Sequence, residues 1–170
     1  MELFATFDRN GVFQANVPRK TVHQQGLWHK SSQVFVFNRQ GDLLLAQRAQ
    51  DKDLYPGLWD YSVGEHLQPG ETHLAAAHRG LDEELGITNM PLEVLGTQRW
   101  VTHSGTGFLD REIQQAFRGC YTGQLRPDPV EVQAVEYVSL MDLAERVTQN
   151  ADQFTPWLIE DLLEFKLLVF

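Results

Sequence analysis

The chain has 170 residues, 42% hydrophobic and 22% charged, which is enough for one compact domain and too few for two ordinary ones. Its net charge of -9, from 14 basic and 23 acidic residues, argues against binding to long nucleic acid. One cysteine excludes an internal disulfide, and neither a signal peptide nor an apolar run of about 18 residues is recognised. We expect a soluble, cytoplasmic protein that binds no membrane, and make no prediction of its oligomeric state.

The N-terminal residues predict a β-hairpin. Residues 3–7 and 12–17 read as strands, and Asn10-Gly11 between them supplies the positive φ of a tight turn. A second and more apolar pair of strands follows at 34–37 and 43–46. Because continuous apolar runs are typical of strands buried on both faces, we expect this pair in the central sheet.

Residues 72–85 change to the helical period, with Leu74, Leu81 and Leu85 on one face. Strands alternating with helices predict an α/β (α+β) chain with a mixed sheet covered on both faces. The remaining expected elements are strands at 92–101, 113–121 and 134–140, and helices at 141–147 and 156–168.

The uncovered face of the 72–85 helix is predicted to be acidic. A helical wheel places Glu83 opposite the leucines, Glu84 about 100° further round and Gly80 between them. Arg79 lies one turn before Glu83. Adjacent carboxylates repel unless a cation neutralises them, and hard oxygen ligands favour Mg²⁺ or Mn²⁺.

These residues belong to a longer pattern that resembles the Nudix box. The pattern is a glycine, five residues, Glu, seven residues, then Arg-Glu-apolar-x-Glu-Glu-x-Gly-apolar. The chain departs from it twice, with Glu65 in place of the glycine and Gly80 in place of the first helical glutamate. It matches at Glu71, Arg79, Leu81, Glu83, Glu84, Gly86 and Ile87.

The resemblance implies a single Nudix domain over residues 1–170, an α/β/α sandwich in which residues 1–20 form an N-terminal hairpin extension. It implies an enzyme that hydrolyses phosphoanhydride bonds with Mg²⁺ or Mn²⁺. By position, Glu83 and Glu84 become metal ligands and catalytic residues, Arg79 orients them, and Glu71 supports the loop or shares the metal. A plain reading of Glu71 is a helix N-terminal acid that complements the dipole.

Gly80 is the serious departure, because the glutamate of that position is commonly a metal ligand or base in the family. A glycine inside a helix costs about 1 kcal/mol relative to alanine, which hints that something approaches the backbone there. We hypothesise that Glu65 restores the missing negative charge and is itself a metal ligand.

The resemblance extends over roughly residues 20–160 to the isopentenyl-diphosphate-isomerase-like branch of the family. In the isomerases, the residues matching Arg48 and Lys52 contact the substrate diphosphate. The isomerase cysteine would fall at Gly64, which has no side chain to transfer a proton. The residues matching a further isomerase metal site are His29, His66, Asp110 and Glu112.

The family resemblance favours a pyrophosphohydrolase that acts on a nucleoside 5'-di- or triphosphate or another small diphosphate. Glu112 is expected to join Glu83 and Glu84 at the metal, with Arg48 and Lys52 as the phosphate clamp. The alternatives are an isopentenyl-diphosphate-type isomerase and a non-catalytic nucleotide- or diphosphate-binding module. Separated histidines are more often structural, so His23, His29 and His66 are expected to be hydrogen-bonded residues, and Glu131 to be a loop base or a surface acid.

Overall fold

The computed structural model describes residues 2–52, 54–105 and 107–168. Within these residues one mixed nine-stranded sheet is covered by helices on both faces, which confirms the predicted class. The strands are β1 (Leu3–Phe7), β2 (Phe13–Pro18), β3 (Trp28–Phe37), β4 (Leu43–Arg48), β5 (Trp59–Asp60), β6 (Val63–His66), β7 (Glu93–Gly105), β8 (Phe108–Cys120) and β9 (Val132–Val138). The helices are α1 (Arg19–Gln25), α2 (His73–Leu85), α3 (Leu140–Gln149) and α4 (Pro156–Glu164), with a short 3₁₀ turn at Ala151–Gln153.

Strand β3 is the centre of the sheet. Strand β8 runs parallel to it along its whole length, and this register sets His29 beside Glu112. The other edge of β3 pairs antiparallel with β1, β6 and β4 in turn, and here Ser31 lies beside His66. Three strands that are distant in sequence therefore bring polar side chains together at one end of the sheet.

Two apolar cores lie on the two faces of the sheet, because successive side chains of β3 and β4 point to opposite sides. Phe35, Leu43 and Leu45 pack against helices α3 and α4. Val34, Val36 and Leu44 pack against α2 on the opposite face. This layering fixes α2, which carries the acidic motif, against one side of the sheet.

Helix α2 begins and ends as its sequence predicts. The Thr72 hydroxyl accepts a hydrogen bond from the Ala75 amide at 3.2 Å, and Gly86 closes the helix in the left-handed region at φ 66°. Leu81 and Leu85 are fully buried. Leu74 was predicted to share their face but is 45% exposed. A helical wheel gives the direction of a side chain and not how far the sheet extends beneath it, and burial begins only at Ala76.

Further differences concern elements rather than class. Strands β5 and β6 were not predicted, and α4 ends at Glu164 rather than at residue 168. The predicted strand pair is present, but β3 and β4 meet at a single register pair, Phe37 with Leu43. Strands β3, β7 and β8 are longer than expected. Helix α1 was not predicted, because it is seven residues long and buries only Val22.

Cys120 is exposed and unpaired. In the described ranges, no helix is both long and apolar enough to cross a bilayer.

The cap of α2 supplies a test of this local structure. We expect Thr72→Ala to lower the free energy of unfolding by about 1 kcal/mol, since the Ala75 amide loses its acceptor. Urea denaturation measures the difference. Thr72→Ser, which keeps the hydroxyl, is the matched control and should retain most of the stability; an alanine variant as stable as the wild type would contradict the assignment.

Candidate active site and metal centres

A cavity of about 580 Å³ opens beside strand β6. Its walls come from strands β3, β4 and β6, from helix α2 and from the loops after β4 and β8. Most of the residues that line it are charged. The predicted site residues that line it are Arg48, Lys52, Glu65, Arg79, Glu83, Glu84 and Glu112. The histidines His23 and His66 and the acids Asp110 and Glu131 line it as well.

Arg79 ties helix α2 to the segment around β6. Its Nε and Nη2 each donate to Glu71 at 3.0 Å, and Nη2 also donates to the carbonyl of His66 at 2.9 Å. Its Nη1 donates to Glu83 at 3.2 Å and to Glu65. The hydrogen bonds to Glu71 are the main reason that the pKa of Arg79 is raised. Arg79 is therefore a fixed cation that holds three carboxylates in place.

Glu71 has the contacts of a loop support. Both of its oxygens accept from Arg79, and Oε2 also accepts from the amide of Gln68 at 2.9 Å. Burial acts to raise its pKa, but these hydrogen bonds outweigh burial and lower it. A direct metal contact by Glu71 stays a prediction.

Glu84 is the box carboxylate without a partner. Among the described residues no hydrogen bond or ion pair reaches its side chain, whereas Glu83 is 60% exposed and held by Arg79. Burial, followed by the charges of Glu65 and Glu131, raises the pKa of Glu84 well above its ordinary value. A carboxylate in this setting is stabilised by a cation, which is what a metal ion supplies.

Gly80 does not lie on an uncovered face, and that prediction was wrong. It is buried against β6, where a Cβ would come 2.4 Å from Cγ of Glu65 and 2.6 Å from Cγ1 of Val63. The wheel could not include β6, whose position depends on long-range pairing with β3. Glycine is needed here because strand and helix approach closely.

Arg48 and Lys52 both reach the cavity, and each has a carboxylate partner. Arg48 Nη1 donates to Asp60 at 3.0 Å, and its guanidinium lies 5.4 Å from the Trp157 ring centre. Asp60 is buried and also accepts from Thr155 and Trp157, which fixes its position. Lys52 forms an ion pair with Glu131. Two oriented cations therefore stand at the wall of an acidic cavity.

A second group of ligand-type side chains, whose three histidines were expected to be structural, is gathered in one place. One ligand atom from each of His23, His29, His66 and Asp110 lies within 4.8 Å of the others. We call these four residues the histidine cluster. The strand registers explain part of this grouping. His66 pairs with Ser31 of β3, and His29 lies two residues before Ser31 on the same strand.

The atoms of this cluster fit a metal ion. The carbonyl of Leu27 lies 3.1 Å from Nδ1 of His29, which leaves Nε2 with its lone pair facing the cluster. Nε2 of His29, Nε2 of His23 and Oδ1 of Asp110 are buried and have no hydrogen-bond partner in the part of the chain that the structure describes. Burial, with His66 adding to it, lowers the pKa of His23 to about 4 and that of His29 to about 3. Neutral imidazoles are the form that binds metal.

Glu112 belongs beside the histidine cluster rather than with Glu83 and Glu84. Its Oε1 lies 3.2 Å from Nε2 of His66, and Gln114 donates to its other oxygen at 2.7 Å. Although burial acts in the opposite direction, the hydrogen bond from His66 lowers the pKa of Glu112. The resemblance to the isomerases had grouped Glu112 with His29 and His66, whereas the expectation that Glu112 joins Glu83 and Glu84 was wrong, because two acids on one strand face carry no signal of the strand that will lie beside them.

His23, Asp60 and Tyr61 line the cavity without having been assigned a role in the site. His23 lies on a helix that had no periodic pattern. Asp60 and Tyr61 lie on or just after the two-residue strand β5, which is too short for alternation to be recognised. No local signal in the sequence distinguishes these residues from a surface turn.

Comparison with known proteins agrees with this architecture. A sequence model of the NUDIX domain matches residues 27–158. The chain belongs to the Nudix family. An isopentenyl-diphosphate Delta-isomerase of Jannaschia sp. (strain CCS1) is 37% identical over 163 residues, covering 95% of this chain and 92% of that protein.

Solved structures share the Nudix fold. A protein from Deinococcus radiodurans superposes with a TM-score of 0.71 at 20% identity, covering 87% of this chain and 90% of its own. The dihydroneopterin triphosphate pyrophosphohydrolase of E. coli gives a TM-score of 0.57 at 18% identity, covering 75% and 86%. The Nudix fold predicted from the box is confirmed, and the family generally uses divalent metals.

The histidine cluster of this Nudix domain can be tested with Co²⁺, whose visible absorption reports nitrogen ligands. We expect His29→Gln to weaken Co²⁺ binding roughly 100-fold, because a buried ring nitrogen is lost from the cluster. Titration followed at visible wavelengths measures the affinity. His78→Gln, a change outside the cluster, should leave the titration unchanged; equal affinity in the wild type and His29→Gln would show that the cluster binds no metal.

Proposed function

We propose that this protein is a Nudix hydrolase that uses Mg²⁺ or Mn²⁺ to cleave a phosphoanhydride bond of a nucleoside 5'-di- or triphosphate. The observation that carries the proposal is the unpartnered carboxylate of Glu84 in the same cavity as Arg48 and Lys52. A metal-diphosphate site needs a carboxylate that binds the metal and cationic side chains that bind phosphate oxygens. Glu84 is suited to the first task, and Arg48 and Lys52 are suited to the second. With one unpaired cysteine, we place the activity in the cytoplasm.

Glu83 and Glu84 would hold the divalent ion, and Arg79 would keep Glu83 oriented. When bound, the metal supplies Lewis-acid stabilisation of phosphoryl oxygens and acidifies water. Arg48 contributes a guanidinium whose planar donors suit phosphate oxygens, and Asp60 holds it in position. Lys52 adds a second positive charge at the wall of the cavity.

A proton must leave the attacking water, and Glu131 is the carboxylate we propose to accept it. It lies in the turn before β9, where its amide and that of Val132 donate to the carbonyl of Asp128. Its ion pair with Lys52 places both residues at the same wall. Substrate phosphate would compete for Lys52 and free the Glu131 carboxylate to act as a base.

Isomerisation of a prenyl diphosphate is the second candidate, because relatives carry that name and the histidine cluster is present. Gly64, which has no side chain, argues against this activity. A Cβ on Gly64 would lie 2.4 Å from Cε2 of Tyr61 and 3.2 Å from its hydroxyl oxygen. The aromatic ring thus occupies the space in which the isomerase cysteine would stand, and allylic proton transfer loses one of its two partners. Hydrolysis does not require that group.

The two activities separate in one experiment. We expect phosphate or pyrophosphate release from a panel of nucleoside di- and triphosphates with Mg²⁺ or Mn²⁺, and no carbon-bound deuterium in isopentenyl diphosphate incubated in D₂O. Because Glu84 would hold the divalent ion, Glu84→Gln should lower kcat by roughly 100-fold or more.

Asp82→Asn is the matched control, since it removes one charge from an exposed position of the same helix and should leave kcat unchanged. Deuterium incorporation without phosphate release would overturn the proposal in favour of an isomerase. Nucleotide binding without turnover by the metal-loaded protein would overturn it in favour of a binding module.

A further inference from the structure

Strand β6 and helix α2 approach closely at residues 65 and 80. Gly80 is buried, and a Cβ at this position would lie 2.4 Å from Cγ and 3.4 Å from Cβ of Glu65. Real Cβ atoms do not approach other heavy atoms so closely. A side chain at position 80 would therefore have to displace the side chain of Glu65, and that of Val63, whose Cγ1 would lie 2.6 Å from the same Cβ.

The two residues are also the two departures from the Nudix box. The box has glycine where this chain has Glu65, and glutamate where it has Gly80. The departures are in contact and opposite in kind, so one carboxylate is lost from the helix and one is gained on the strand facing it. The exchange keeps one carboxylate at the contact between β6 and α2.

One oxygen of the Glu65 carboxylate is left for a metal ion. Arg79 donates to its Oε2, and within the described part of the chain Oε1 has no hydrogen-bond partner. Both glutamates line the cavity. Arg79, which donates to Glu65, also donates to Glu83, the residue beside Glu84 on the helix.

We infer that Glu65 supplies, from strand β6, the metal-binding carboxylate that the box helix lacks at Gly80, and that it binds the divalent ion together with Glu84. The inference deepens the proposed function and depends on it for the identity of the ion. A role as counter-ion to Arg79 alone would explain the ion pair and would not explain why the glycine lies opposite this side chain.

Manganese in the crystal tests the inference directly. In crystals of the whole protein soaked with Mn²⁺, we expect an anomalous peak within coordination distance of both Glu65 and Glu84. Glu65→Gln, which keeps the size and the hydrogen bond to Arg79, should remove that peak at an Mn²⁺ concentration that saturates the wild type. A peak that contacts Glu84 and omits Glu65, or one that persists in Glu65→Gln, would overturn the inference.

The exchange itself can be reversed. A variant with Glu65→Gly, Gly80→Glu and Val63→Ala has the order of the box, and the last change relieves the contact of 2.6 Å at Val63 Cγ1. We expect this variant to recover the Mn²⁺ peak, now contacting residue 80. We also expect it to hydrolyse substrate at least tenfold faster than Glu65→Gln. Val63→Ala alone is the control. Glu65→Gly alone should lack the Mn²⁺ peak and hydrolyse substrate as slowly as Glu65→Gln. An Mn²⁺ peak or fast hydrolysis in Glu65→Gly, without the change at position 80, would contradict the inference.

These outcomes are separate from those of the proposed function. A wild-type protein with the shared Mn²⁺ peak and no hydrolysis of any nucleotide would refute the function and support Glu65 as a ligand. Hydrolysis by the wild type with an Mn²⁺ peak that ignores Glu65 would refute the role of Glu65 and leave the function standing.

Discussion

Repulsion among carboxylates that crowd one cavity is the constraint on which the site depends. Glu65, Glu84 and Glu131 lie near one another on one side, and Asp110 and Glu112 lie together on the other. Burial makes each negative charge costly, and each neighbour adds to that cost. Arg48, Lys52 and Arg79 offset the negative charge on the first side, and hydrogen bonds offset it on the second. Among the described residues, atoms on both sides are left without a hydrogen-bond partner.

Strand β6 connects the two sides. Alternation along a strand sends successive side chains to opposite faces, so Glu65 faces the box helix while His66 faces the histidine cluster. Gly64, just before them, is exposed at the cavity and lies against Tyr61. Three consecutive residues therefore bear on both groups of ligand-type side chains: Gly64 offers no proton-transfer group, Glu65 faces the box helix, and His66 belongs to the histidine cluster.

The sequence predicted those parts of the molecule that depend on local order. The hairpin at Asn10-Gly11 and the helix from Thr72 to Gly86 follow from turn chemistry and the helical period, and both are confirmed. The box pattern identified the family because its spacing encodes one helix and the loop before it. Arg79 was expected to contact Glu83, and an i, i+4 pair on one helix does so almost by geometry alone.

The remainder depends on contacts between distant segments. The burial of Gly80 and the exposure of Leu74 are set by where β6 lies beneath α2, which a helical wheel does not contain. Glu112 joins His29 because β8 pairs with β3 in one particular register, and a shift of one residue would turn its side chain to the other face. His23 arrives on a helix with no pattern of its own.

The most direct measurement of the central claim follows the oxygen of water. Hydrolysis of a nucleoside diphosphate substrate in ¹⁸O-labelled water with Mn²⁺, observed by ³¹P NMR, should transfer one label to a single phosphorus of the products, since the cavity is proposed to direct water at a phosphoanhydride. Unchanged nucleotide, or products without the label, would contradict the account.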